Sequence, residues 1–117
     1  MAEQASSDWI EGADAGKPRR VTFSRPPSVQ RVLYALDAWH NRDRKGLSPD
    51  TAHDVVAVME AAICALRMDI LPASWSRQRH HAAACFNHVE AARTHPAFRG
   101  HNNPPRVDIN FRRRAQS

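Results

Sequence analysis

Residues 48–72 read SPDTAHDVVAVMEAAICALRMDILP, and the fold follows from this stretch. Ser48 can cap a helix by accepting a backbone N–H, and Pro49 suits the first helical position because its missing N–H would have had no partner there. Asp50 and Asp54 favour the positive end of the helix. At ~100° per residue, Ala52, Val55, Val56, Met59, Ala62, Ile63, Leu66 and Ile70 fall within one arc of about 120°. His53, Asp50, Glu60, Cys64 and Arg67 fall on the other side. Leu71-Pro72 closes the helix, since the residue before a proline avoids helical backbone.

Working outward, a second amphipathic helix precedes this one. Ser28 follows Pro26-Pro27 as an N-cap, and Val29, Val32, Leu33, Leu36 and Trp39 share one face. The polar run of residues 41–46, Asn-Arg-Asp-Arg-Lys-Gly, breaks the pattern. On the far side, Ser74 is expected to cap a third helix that runs to about Thr94, with Trp75, Ala82, Phe86 and Val89 inward. Three helices of this length predict a mainly α, up-down-up bundle of modest stability, which a homodimer would reinforce. Val21-Thr22-Phe23 and Val107-Asp108-Ile109-Asn110-Phe111 alternate apolar and polar residues. They are expected to pair as a short antiparallel ribbon on the bundle.

These elements divide the chain into an acidic, disordered tail over residues 1–17, a helical domain over 18–99, and a Pro/Asn loop with a short strand and basic tail over 100–117. Trp9-Ile10 is the one apolar pair in the first segment. The 117 residues allow one domain. No apolar run is long enough for a bilayer, and the acidic start does not read as a signal peptide. The expected location is cytoplasmic, with Cys64 and Cys85 as free thiols.

The net charge of +5 is unevenly spread. Residues 1–16 carry four acids and no base, whereas Lys17, Arg19, Arg20 and Arg25 follow within nine residues. Fifteen of the 17 bases are Arg, whose planar fork matches phosphate and carboxylate. A GC-rich genome would produce the same bias. Four clusters are candidate phosphate contacts: Arg19, Arg20 and Arg25; Arg42, Arg44 and Lys45; Arg77 and Arg79; and Arg112, Arg113 and Arg114. In the up-down-up arrangement, the first and third clusters share one end of the bundle. The second lies at the other end with Arg93 and Arg99. Asp69 is placed to pair with the Arg77/Arg79 cluster, which would explain these bases without a ligand.

Two further sets of residues are candidates. Tyr34 and Arg31 lie together away from the core arc of the first helix and suit a protein contact. His81, Cys85 and His88 fall on one stripe of the third helix, the spacing of three metal ligands. The stripe lacks a fourth ligand on a second element, so no metal and no cofactor is expected. The chain has no Gly-rich phosphate loop, no nucleophile elbow, no His-Glu-x-x-His and no Cys-x-x-Cys. The residues therefore favour a non-enzymatic basic protein that contacts nucleic-acid phosphates with little sequence preference. A module that regulates or inhibits an acidic protein partner is the second reading, and a metal-binding helical protein the third.

Overall fold

The computed structural model describes residues 19–71, 73–75, 77–100 and 102–111. Among them, β1 (Arg20–Phe23) leads into α1 (Val29–His40), the single-turn α2 (Arg42–Lys45), α3 (Pro49–Met68), a 3₁₀ turn (Ala73–Trp75), α4 (Arg79–Arg93), a second 3₁₀ turn (Pro96–Phe98) and β2 (Arg106–Ile109). The fold is mainly helical, and no described helix is long and apolar enough to cross a membrane.

The caps of the first two long helices form as their sequences dictate. Ser28 accepts from the Arg31 amide, and Ser48 from the Thr51 amide. Helix α3 stops at Asp69, which takes a left-handed conformation at φ 57°. Val55, Val56, Ala57, Val58 and Met59 are all buried. Consecutive residues on a helix point ~100° apart, so five in a row cover its whole circumference. The apolar arc anticipated for this helix is thus only part of its buried surface. α1, α4, β2 and the Pro96–Phe98 turn all pack on α3.

Helices α3 and α4 run in opposite directions. Glu60 pairs with Arg93, Arg67 lies over the Phe86 ring, and Asp69 pairs with Arg79, so rising positions on one helix meet falling positions on the other. The buried stripe of α4 is Ala82, Cys85, Val89 and Ala92. Helix α1 departs from the up-down-up expectation. Arg31 in its first turn reaches Asp54 near the start of α3, and Trp39 at its other end meets His95 just past α4. α1 therefore crosses the beginning of α3 instead of running back along it.

Other expectations are also corrected. The ribbon is parallel, with Arg20 opposite Arg106 and Phe23 opposite Ile109. A hairpin would force antiparallel pairing, but here the intervening helices form a long crossover and set the direction in which β2 arrives. Residues 41–46 contain the one-turn helix α2, closed by Gly46 at φ 82°. Ser74 does not cap the third helix. The chain first makes a 3₁₀ turn that sinks Trp75 into the core, and α4 begins only at Arg79. Leu33 and Phe86 lie at the margins of their faces and stay exposed. His53, expected on the solvent side, is buried. Residues 1–18 and 112–117 fall outside the described residues, so the acidic tail, Trp9-Ile10 and the basic tail do too.

Candidate nucleic-acid interface

The basic clusters are regrouped by the position of α1 and by the parallel strands. Arg19 lies 3.6 Å from Asp50 in the first turn of α3. Arg106 sits beside Arg20 across the sheet. The Arg42 guanidinium stacks 3.8 Å from the Trp39 ring centre and donates to the Trp39 carbonyl, while that ring meets His95. His95 caps the Pro96–Phe98 turn, and Phe98 touches His53 near the start of α3. Arg99 follows immediately. This chain of contacts brings Arg19, Arg20, Arg42, Arg99 and Arg106 to the end of the molecule where α3 begins. Arg44 and Lys45 lie within six residues of Asp50 on the same approach.

Arg79 is at the opposite end, 3.2 Å from Asp69. Nineteen residues separate Asp50 from Asp69, which at ~1.5 Å rise is about 28 Å of helix. Arg19 and Arg79 therefore do not share an end. The anticipated link between Asp69 and the Arg77/Arg79 cluster is made by Arg79. Arg25 lies beyond the carboxyl end of β1, the end of the sheet where β2 runs on to Phe111. Arg112, Arg113 and Arg114 lie outside the described residues.

Several of the candidate arginines are engaged internally. Arg20 pairs with Asp108 at 3.0 Å across the sheet, and Arg44 donates to the Asn41 side-chain oxygen. These pairs are exposed, so they cost little to exchange for a phosphate. Arg25, Lys45, Arg77, Arg99 and Arg106 have no acidic partner among the described residues, and all five are exposed. Three of them, Lys45, Arg99 and Arg106, belong to the basic end.

The remaining candidates separate. Arg31 pairs with Asp54 at 3.0 Å, and its guanidinium lies 5.6 Å from the Phe23 ring centre. Tyr34 stays 60% exposed beside exposed Leu33. On α4, Cys85 is buried, and burial pushes its thiol up to about 12 from the ordinary 9.0. A metal needs the thiolate. His88 packs edge-on against His40 of α1, and His81 is half-buried next to His80, with burial lowering its pKa. The described residues contain no group of three His, Cys, Asp or Glu placed to hold a metal.

Two features of the structure are absent from the sequence reading. One is a groove of about 670 Å³ between α3 and α4, walled by Ile63, Cys64, Phe86 and Val89 with the Glu60–Arg93 pair at one end. Burial and then Glu60 raise the Cys64 thiol, so it supplies no ready nucleophile at neutral pH. The other is buried His53, whose ring nitrogens both meet backbone carbonyls. Its position four residues after Pro49, within reach of the Pro49 carbonyl, was the available signal. In comparisons with known proteins, the chain matches no family model, no curated protein and no solved structure.

Proposed function

We propose that this is a non-enzymatic binding protein that grips nucleic-acid backbone phosphates through the basic end where α3 begins. The observation that carries this reading is the convergence of Arg19, Arg20, Arg42, Arg99 and Arg106 there, with Arg44 and Lys45 close by. Of the acids of that region, Asp50 and Asp108 are each matched to an arginine and exposed Asp43 of α2 has no basic partner among the described residues, so seven bases face three acids and the charge there stays positive. The bases come from strands, loops and helix ends. They do not line one exposed helix that could fill a major groove, so contact is with backbone and sequence preference is weak. Cytoplasmic residence agrees with two free cysteines.

A second reading is contact with an acidic protein surface, favoured by the exposed Leu33-Tyr34 pair on α1. Affinity capture from lysate with and without nuclease separates the two. Partners lost on nuclease treatment support nucleic acid, and partners retained support a protein surface.

A further inference from the structure

We propose that His53 is a proton-operated clip between the start of α3 and the segment that leads into β2. His53 is 6% exposed, the only polar or charged side chain buried to this degree among the described residues. Its Nδ1 lies 2.9 Å from the Pro49 carbonyl oxygen, and its Nε2 lies 2.9 Å from the Asn103 carbonyl oxygen. A carbonyl only accepts. A neutral imidazole has one N–H and one lone pair, so it can satisfy one of these oxygens and must face the other with a lone pair. Only the imidazolium donates to both.

The clip joins positions fifty residues apart in the chain. Charged groups of both signs surround the ring. Asp50 and Asp54, on its own helix, favour the cation. Arg19 from the approach to β1 and Arg31 from α1 oppose it, as does the positive end of α3. These four residues line the same small cleft as His53 and pair with each other, Arg19 with Asp50 and Arg31 with Asp54. From the Pro96–Phe98 turn, the uncharged Phe98 ring covers His53 at 5.3 Å between ring centres. The two carbonyls are therefore the contacts that change with the proton. On the acid side of the imidazole titration both bonds form. A neutral ring keeps only one of them, so the tie between α3 and the 102–105 segment loosens, while buried Pro105 and the Asn102 side chain on the Ala97 carbonyl still hold the segment in place. Arg99 and Arg106 bracket this segment. The clip thus controls the placement of two bases of the proposed phosphate surface; that consequence rests on the functional reading, whereas the clip itself does not.

The test is amide hydrogen exchange of the full chain across the imidazole range, corrected for intrinsic pH dependence. The reporters are the Asn102 and Arg106 amides, which donate to the Arg99 and Arg19 carbonyls. In the wild type, their protection should fall roughly three- to ten-fold as pH rises, the worth of one hydrogen bond. In His53→Gln, which keeps a donor but does not titrate, it should not change. Protection that is flat in the wild type, or that falls equally in both proteins, overturns the clip. If the variant does not fold, ring ¹⁵N spectra of the wild type decide. Two protonated nitrogens on His53 in the acidic folded state support the proposal. A single neutral tautomer throughout the range contradicts it.

Discussion

The Arg31 guanidinium lies 3.0 Å from the Asp54 carboxylate, tying the first turn of α1 to the start of α3. This pair marks where α1 crosses the central helix, and it engages the still exposed Arg31 side chain with α3. Both partners are more than a third exposed, so the pair orients α1 more than it stabilises it. Arg31→Ala should therefore lower stability by no more than about 1 kcal/mol. Chemical denaturation measures this, and a loss several times larger would mean that the crossing depends on this contact.

The core centres on α3. Met59 is fully buried, whereas Leu66 is half-buried near the end of the helix. Met59→Ala should cost about 2–5 kcal/mol, the range for large-to-small changes in a packed interior. Leu66→Ala should cost clearly less. Equal losses in the two denaturation curves would place the core further toward the end of α3 than it is.

This helix was the most legible part of the sequence, because Ser48, Pro49 and the apolar period all agree. The period does not reveal that neighbours cover a helix on every side. Ala57 and Val58 fall outside the apolar arc and are buried all the same, as is His53 on the opposite side. The start of α4 was misread because Ser74 resembles a cap, while the demand to bury Trp75 overrode it. The direction of the ribbon depends on how the intervening helices turn, which no local pattern in Val21-Thr22-Phe23 encodes. The same holds for the interface. The arginine clusters are visible in the sequence, but which of them meet depends on where α1 crosses.

Cys85 links stability to alkaline pH. Its folded thiol titrates near 12 instead of 9.0, so folding favours the protonated form. That contribution is complete below about 9 and is lost as pH rises from there toward about 12. Stability measured across this window should fall more steeply in the wild type than in Cys85→Ala, each compared with its own value at pH 8. Parallel curves would show that Cys85 is not the titrating group.

The same burial governs thiol chemistry. A disulfide reagent at pH 8 should modify half-buried Cys64 slowly in the folded protein, and Cys85 only after denaturant is added. Elemental analysis of protein purified without added metal should find well under one zinc per chain. A full equivalent of zinc that disappears in His81→Ala would revive the α4 stripe as a metal site.

The central claim is that one end of the molecule holds the phosphate-binding charge, and the salt dependence of duplex DNA binding tests it most directly. The wild type should bind at ~50 mM salt, and its affinity should fall log-linearly with salt at about −0.9 per phosphate contacted. Replacing Arg44, Lys45, Arg99 and Arg106 by Ala should reduce that slope by up to about 3.6 and weaken all sequences alike. Replacing Arg77 and Arg79, at the far end of α3, should leave the slope nearly unchanged. A slope that responds to the far-end pair and not to the four bases, or no binding at all at ~50 mM salt, would contradict the account.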